Sequence, residues 1–178
     1  MRIISGKYRG KKLKEFDLVS TRPTIDRVKE AIFNLIQFDV VDAVVLDLFS
    51  GTGSLGIEAI SRGAKKTYLV DNNNKAIKII KDNLSGIEGD FVVEQKDYVD
   101  FLNTTKEKFD IVLLDPPYKT DFGLNAIEIL ICKNLLNENA IIIFETSEEK
   151  QVNLNLDGFD IKKKKYGTVS VYKIEKID

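Results

Sequence analysis

The stretch VVLDLFSGTGSLG, residues 44–56, determines how the rest of the chain is read. Four of its first five residues are apolar, and this run has the length of a buried strand, while the pattern of a helix begins near Ser54. Between them, Gly51 and Gly53 permit a sharp turn that other residues resist. A strand that passes through a glycine loop into a helix is typical of a parallel α/β sheet, in which ligands bind at the carboxyl ends of the strands.

Downstream of this stretch, apolar runs of strand length alternate with helical patterns. Strands are predicted at 66–71, 91–94, 109–115 and 140–145, and helices at 74–84, 99–102 and 124–133. Such continuously apolar strands indicate a parallel sheet that helices cover on both faces. Two further runs, 159–161 and 169–174, lie too close together for a crossover helix and must pair as an antiparallel hairpin. The predicted fold class is α/β: a Rossmann-like, doubly wound, mostly parallel sheet of seven strands that ends in an antiparallel hairpin.

The chain before residue 30 is strongly basic. Residues 1–29 hold nine Lys and Arg against three Asp and Glu, although the whole chain has a formal net charge of −1. Gly6 and Gly10 separate two short extended segments, and a helix is predicted to open at Arg22-Pro23-Thr24. We therefore divide the chain into a basic N-terminal extension with a hairpin, residues 1–23, and a main domain, residues 24–178. Such an extension suits a polyanion such as RNA, and its candidate contacts are Arg2, Lys7, Arg9, Lys11, Lys12, Lys14, Arg22 and Arg27.

Composition excludes several classes of function. The 178 residues have the length of one domain, and they include no histidine and one cysteine, Cys132. Without histidine there can be no Ser-His-Asp triad and no histidine-ligated metal, and we expect no metal cofactor. A single cysteine excludes an internal disulfide and is typical of a reducing compartment. Because neither a secretory signal nor a run of 18 apolar residues occurs, we expect a cytoplasmic protein that does not enter the membrane.

Acidic residues around the glycine loop favour one kind of ligand. Gly51, Gly53 and Gly56 match the GxGxxG pattern, and Asp71 lies 20 residues after Gly51, as in a dinucleotide fingerprint. Asp47, however, would face a pyrophosphate across a short gap, where like charges repel. S-adenosylmethionine carries a cationic sulfonium and an ammonium and has no phosphate. The loop therefore favours S-adenosylmethionine without excluding a dinucleotide.

Other strand ends supply candidate contacts to such a cofactor. Asp71, at the end of the second strand, is placed to accept hydrogen bonds from the two ribose hydroxyls. Asp97 follows the third strand and is placed to accept from an adenine amino group, with Tyr98 against the ring. The candidate cofactor-binding residues are Asp47, Phe49, Gly51, Gly53, Asp71, Asn72, Asp97 and Tyr98.

The fourth predicted strand ends in Asp115-Pro116-Pro117-Tyr118. Two prolines remove two N–H donors, which leaves carbonyl groups to face a ligand. An exocyclic ring amine is a poor nucleophile, because its lone pair is delocalised into the base. A carboxylate and a backbone carbonyl that accept from its two N–H bonds turn that lone pair toward an electrophilic methyl, and an aromatic ring stacks on a base taken out of its helix. These four residues are therefore candidate catalytic residues for methyl transfer to a base amine.

The motifs resemble those of the bacterial 16S rRNA (guanine-N2)-methyltransferases, a family with the class I S-adenosylmethionine-dependent fold. The resemblance covers nearly the whole chain, through the segments 2–13, 22–34, 47–59, 61–64, 115–118 and 165–168. It implies that residues 24–178 form the methyltransferase domain and that S-adenosylmethionine is the methyl donor. One position departs from the family, which usually has Glu where this chain has Asp71.

The resemblance also implies a substrate and a partner. The substrate would be a guanine of 16S rRNA, within an assembled or assembling small ribosomal subunit, and the basic extension would bind its phosphates.

Alternatives to this function remain open on the sequence. The same Asp-Pro-Pro-Tyr geometry serves an adenine-N6 or cytosine-N4 methyltransferase that acts on RNA or DNA. A dinucleotide-dependent oxidoreductase and a non-catalytic RNA-binding assembly factor are alternatives of other classes.

Overall fold

A computed structural model describes residues 1–16, 22–147 and 152–177, and its helices and strands alternate along most of the chain. They are, in chain order, α1 (Arg22–Leu35), β1 (Val44–Asp47), α2 (Ser54–Ser61), β2 (Lys66–Asp71), α3 (Asn74–Leu84), β3 (Phe91–Gln95), α4 (Tyr98–Thr104), β4 (Phe109–Leu114), α5 (Phe122–Cys132), β5 (Leu136–Ser147), β6 (Phe159–Tyr166) and β7 (Val169–Lys176). None of these described helices is long and apolar enough to cross a membrane.

The strands form one sheet in the order β3-β2-β1-β4-β5-β7-β6. The five strands from β3 to β5 run parallel. The chain adds strands on one side of β1 up to β3 and then on its other side from β4, so the topological switch point lies between β1 and β4. β7 pairs antiparallel with both β5 and β6. The predicted fold class, a mostly parallel seven-stranded sheet that ends in an antiparallel hairpin, is confirmed.

The boundaries differ from the prediction at a few elements. β5 begins at Leu136 rather than at Ala140, because Leu136 pairs with Phe109 before the register between β4 and β5 shifts. β6 continues through four lysines to Tyr166, since its neighbour β7 supplies hydrogen bonds along the whole strand. These differences arise from strand pairing, which is not visible in the local pattern of either segment.

Alternate residues of each central strand pack against opposite layers of helices. One face packs on α4 and α5, through β-strand residues that include Leu46, Val112, Leu114, Ile142 and Phe144. The other face packs on α1, α2 and α3, through residues that include Val45, Leu69, Ile111, Leu113 and Ile143. Because both faces are buried, the strands are continuously apolar, as the prediction requires.

The N-terminal residues fold back as a hairpin that lies against α2 and α3. Arg2 pairs with Lys12 in an antiparallel bridge, and Ile3 and Leu13 are buried in the cluster that includes apolar residues of both helices. The hairpin (residues 2–13) therefore shares a core with the main domain. Residues 17–21, within the predicted extension, and the side chain of Arg22 lie outside the described part of the chain.

Glu58 of α2 is the polar centre of this packing. Its carboxylate is fully buried and accepts from the backbone N–H groups of Ile4 (2.9 Å) and Ser5 (3.0 Å). It also pairs with Arg62 Nε at 2.9 Å and with Lys29 Nζ of α1 at 3.4 Å. One carboxylate thus joins the hairpin, α1 and α2.

Lys29 extends the same network toward the glycine loop. Its ammonium, 3% exposed, donates to Arg2 O at 2.6 Å and to Ser54 Oγ at 3.0 Å. Burial lowers the pKa of Lys29, and the charge of Glu58 acts in the opposite direction. The first residue of α2 is therefore connected to the N-terminal hairpin through one buried ammonium.

We expect the Glu58→Gln variant to be destabilised by about 3–5 kcal/mol, because it leaves Lys29 buried without its counter-charge. Chemical denaturation measures this loss, and hydrogen exchange should show faster exchange of the Ile4 and Ser5 amides. Glu30→Gln, at an exposed position of α1, is the matched control and should change stability by less than about 0.5 kcal/mol. A Glu58→Gln protein as stable as the control would contradict the role assigned to this carboxylate.

Candidate active site

A cleft with two connected lobes opens at the carboxyl edge of the parallel strands. The acidic lobe, of about 490 Å³, has Asp47, Asp115, Tyr118 and Glu145 in its wall. The aromatic lobe, of about 750 Å³, is lined by side chains that include Phe49, Asp71, Asn72, Asp97, Tyr98, Pro116, Pro117 and Phe122. Phe49, Gly51, Asp115 and Tyr118 line both lobes, so the two lobes adjoin at these residues.

The glycine loop turns as the sequence predicts. Gly51 has φ 57° and Gly53 has φ 82°, left-handed values that other residues rarely adopt. No atom outside the loop lies within 4 Å of where a Gly51 Cβ would stand, so this backbone faces open space. The loop ends at Ser54, where the free N–H groups of α2 begin.

Asp47 lies beneath the loop, 1% exposed, with one oxygen in use and the other without a partner. Its Oδ2 accepts from Ser50 Oγ at 2.8 Å and from the Gly56 N–H at 2.9 Å. Its Oδ1 is buried and has no hydrogen-bond partner among the described residues. Burial raises the pKa of Asp47 to about 6, and the two hydrogen bonds act in the opposite direction. A bound cation or N–H donor would satisfy the free oxygen.

Asp71 has a structural role that the sequence did not reveal. Its Oδ2 accepts from the Gly51 N–H at 2.9 Å, and its Oδ1 accepts from the Asn73 N–H at 2.8 Å. Asn73 is the N-cap of α3, since its side chain accepts from Lys75 N–H. Each Asp71 oxygen keeps a further lone pair for a ligand hydroxyl, so the carboxylate both fixes the loop and lines the lobe.

Three aromatic rings give the aromatic lobe its apolar surface. The Phe49 and Tyr98 centroids are 5.2 Å apart, and the Tyr98 and Phe122 centroids are also 5.2 Å apart. Phe122 was missed in the sequence, because it lies at the start of α5 and belongs to no motif. Asp97 caps α4, with Oδ1 accepting from Val99 N–H at 2.8 Å, so one oxygen of this predicted adenine contact is engaged by the backbone.

The Asp115-Pro116-Pro117-Tyr118 segment leaves β4 at the junction of the lobes. The Asp115 side chain is open to the cleft, yet the surrounding protein and the charges of Glu145 and Asp47 raise its pKa well above the ordinary value. Pro117 O accepts from Thr120 Oγ1 at 2.7 Å. Of the two prolyl carbonyls expected to face a ligand, the one of Pro117 therefore has an internal partner.

Glu145 is a candidate site residue that the motifs did not indicate. It follows Phe144, which pairs with Leu114, so it lies next to Asp115 across the strands. The hydroxyl of Tyr118, 48% exposed, donates to Glu145 Oε1 at 3.2 Å. Burial raises the pKa of Glu145. Its position as the last residue of a predicted strand is the one signal by which the sequence could have found it.

The predicted RNA contacts are spread over two surfaces. Arg2, Arg9 and Lys12 are exposed on the hairpin. Lys7 pairs with Glu88 at 3.1 Å, Lys14 pairs with Asp82 at 2.8 Å, and Lys11 donates to Ser85 O. Arg27 is exposed on α1 and lines a different groove, beside Lys165 and Tyr166.

The hairpin has one end at the cleft. Met1 lines the acidic lobe and Phe16 the aromatic lobe, whereas the tip, at Tyr8, contacts Glu88 just before β3, at the opposite edge of the sheet. Arg2 and Lys12, which pair next to Met1, are therefore nearer to the cleft than Lys7 and the tip.

No group of three or more His, Cys, Asp or Glu side chains suited to a metal ion occurs in residues 1–16, 25–147 and 152–177.

Known proteins match the chain over nearly its full length. The family described as Conserved hypothetical protein 95 matches residues 1–175. The ribosomal RNA small subunit methyltransferase D of Haemophilus influenzae is 37% identical over 176 residues, which cover 96% of this chain and 91% of that protein.

Solved structures share the fold. The yhhF protein of Escherichia coli has a TM-score of 0.89 at 30% identity, over 99% of this chain and 97% of that one. The SMU.776 protein, in a complex with SAH, has a TM-score of 0.64 at 19% identity, over 84% of this chain and 48% of that one, and shows likeness of fold alone.

These matches include the N-terminal hairpin, the glycine loop and the Asp-Pro-Pro-Tyr segment, and they confirm the resemblance that the motifs predict. The chain belongs to the family described as Conserved hypothetical protein 95 and is a homologue of ribosomal RNA small subunit methyltransferase D.

Proposed function

We propose that the protein transfers a methyl group from S-adenosylmethionine to the exocyclic N2 amine of a guanine in 16S rRNA. The observation that carries this proposal is the position of Asp115, which lines both lobes of the cleft. A cofactor that extends from the aromatic lobe to Asp47 and a base that enters the acidic lobe would meet at its carboxylate. The family relationship to a ribosomal RNA small subunit methyltransferase supports the same conclusion.

The site residues fit S-adenosylmethionine better than a dinucleotide. The unpartnered Asp47 Oδ1 suits the ammonium of the methionine portion and would repel a pyrophosphate at the same loop. Asp71 has lone pairs for the ribose hydroxyls, and Phe49, Tyr98 and Phe122 offer a surface for the adenine. When bound, this cofactor supplies an electrophilic methyl group on a positively charged sulfur.

The residues at the junction prepare the target amine. Asp115 and the Pro116 carbonyl accept from its N–H bonds, which turns the nitrogen lone pair away from the ring system. Tyr118 offers an aromatic face to a base taken out of its helix. Because the Asp115 contact strengthens as the amine loses its conjugation, it contributes mainly to the transition state.

The charged hairpin supports RNA as the substrate. Its exposed lysine and arginine side chains suit RNA phosphates, and contacts to phosphates supply affinity without sequence information. The proposed partner is 16S rRNA within an assembled or assembling small subunit, and the proposed location is therefore the cytoplasm.

The proposal is tested by incubating purified protein and labelled S-adenosylmethionine with small subunits that lack the modification. Nucleoside mass spectrometry of the digested 16S rRNA should identify N2-methylguanosine. Transfer to adenine or cytosine, or no transfer, would overturn it.

For the cofactor contact, we expect Asp47→Asn to weaken S-adenosylmethionine binding and to change how stability depends on pH. An aspartate whose folded pKa, about 6, lies above its unfolded value of 3.8 favours folding while it is protonated. As the pH rises from about 4 to about 7, the wild type should therefore lose up to roughly 3 kcal/mol relative to Asp47→Asn.

Calorimetry and chemical denaturation at several pH values measure both effects of Asp47→Asn. Asp39→Asn, at an exposed position, is the control. Equal dependence of stability on pH for the Asp47→Asn and wild-type proteins would show that folding does not raise the pKa of Asp47.

For the catalytic contact, we expect Asp115→Ala to lose roughly 10²–10³ in kcat with cofactor affinity retained, as when one preorganised electrostatic partner is removed. Asp115→Asn should lose less, because its amide oxygen still accepts. Single-turnover methylation of small subunits gives the rates, and Asp121→Ala, six residues further along, is the control. An Asp115→Ala variant that reacts at the wild-type rate would show that Asp115 does not contribute to catalysis.

For the hairpin, we expect the double variant Arg2→Ala/Lys12→Ala to depend less on salt in its binding of the rRNA substrate. The negative slope of log affinity against log salt should become shallower by about 1.4–1.8, the contribution of two phosphate contacts. Cofactor affinity should stay unchanged. Lys106→Ala/Lys133→Ala, two exposed lysines at the opposite edge of the sheet, is the matched control. The same slope in both double variants would mean that the Arg2 and Lys12 side chains of the protein hairpin do not contact RNA phosphates.

A further inference from the structure

Glu145 places a second carboxylate beside Asp115 in the acidic lobe. The two follow Phe144 and Leu114, which are direct partners in the parallel pairing of β5 and β4. In the described part of the chain no lysine or arginine pairs with Glu145, and its side-chain contact is the hydrogen bond from Tyr118 to Oε1. Glu145 Oε2 is thus left as an acceptor beside the group proposed to hold the target amine.

Two neighbouring acceptors select among the bases that carry an exocyclic amine. In guanine, the N2 amine is next to the N1–H, so the edge presents adjacent donors. In adenine, the N6 amine is next to N1, and in cytosine the N4 amine is next to N3, both of which are acceptors. A carboxylate opposite an acceptor lone pair is repelled, whereas opposite an N–H it forms a charge-assisted hydrogen bond.

We propose that Glu145 is the specificity-determining residue of this site and accepts the N1–H of guanine while Asp115 accepts from the N2 amine. This inference rests on the proposed function and names the group by which the site distinguishes guanine from adenine and cytosine. The hydrogen bond from Tyr118 uses Oε1 and leaves Oε2 for the base. A site built to bind a substrate N–H rejects an analogue that lacks it, because the buried acceptor is then left unpaired.

The test compares guanine with 2-aminopurine, which keeps the N2 amine but has an acceptor at N1. The probes are small subunits reconstituted from 16S rRNA that is ligated to carry either base at the methylated position. The quantity measured is the ratio of kcat/KM for guanine to kcat/KM for 2-aminopurine. The missing O6 of 2-aminopurine contributes to the ratio of every variant, so the ratio of the Glu145 variant is compared with that of a matched control.

We expect the wild type to prefer guanine by a factor of about 10² or more. In Glu145→Gln the amide N–H₂ can donate to N1 of 2-aminopurine, so the ratio should fall by at least about tenfold. Glu138→Gln, at an exposed position near the start of the same strand, is the matched control and should keep the wild-type ratio. Tyr118→Phe removes the hydrogen bond to Glu145 and should slow the reaction with a ratio within about threefold of the wild type.

The outcomes separate the inference from the function on which it rests. If the wild type forms N2-methylguanosine and Glu145→Gln keeps the wild-type ratio, Glu145 does not read the base. If Tyr118→Phe lowers the ratio as much as Glu145→Gln does, Glu145 acts only by holding Tyr118, and the inference is also wrong. If the wild-type product is not N2-methylguanosine, the proposed function and the inference fail together.

Discussion

The buried carboxylate of Glu58 is the interaction on which the arrangement around the cleft depends. It accepts from two backbone N–H groups of the hairpin and pairs with Lys29 and Arg62. A buried ion pair offsets its desolvation only when further hydrogen bonds satisfy both groups, as they do here. Because Lys29 also reaches Ser54, the hairpin, α1 and the helix that follows the glycine loop are joined by one polar network. The segment proposed to contact RNA is thereby fixed to the loop proposed to hold the cofactor.

The same network determines the electrostatics of the cleft. Lys29 borders the acidic lobe, but its ammonium is occupied by Glu58 and two oxygen acceptors. The donors that contact Asp47 and Glu145 are neutral hydroxyl and backbone groups. No lysine or arginine of the described residues therefore pairs with Asp47 or Glu145. Burial, together with the charges of Glu145 and Asp47, raises the pKa of Asp115. The cleft stays acidic although a basic segment lies beside it, because the buried ammonium of Lys29 pairs with Glu58 rather than with a carboxylate of the cleft.

Much of the fold was predictable, and the reason is local. Buried parallel strands and amphipathic helices carry their periodicity in consecutive residues, so β2 and α3 were predicted within their observed bounds. The left-handed turn at Gly51 and Gly53 follows from the residue type. The roles that were missed depend on neighbours distant in sequence. Glu145 gains its place from strand pairing with β4, and Asp71 contacts a loop 20 residues before it.

The antiparallel end of the sheet has a consequence for how molecules meet. β6 is the last strand in the order, so no strand of the described residues pairs with the backbone groups along its outer edge. That edge carries Lys162, Lys163, Lys164 and Lys165, all exposed. A second copy that approached edge to edge would bring two runs of four ammonium groups together at the spacing of paired strands, about 4.8 Å. The repulsion between these lysines opposes edge-to-edge pairing of two sheets, and so opposes aggregation through the edge strand β6.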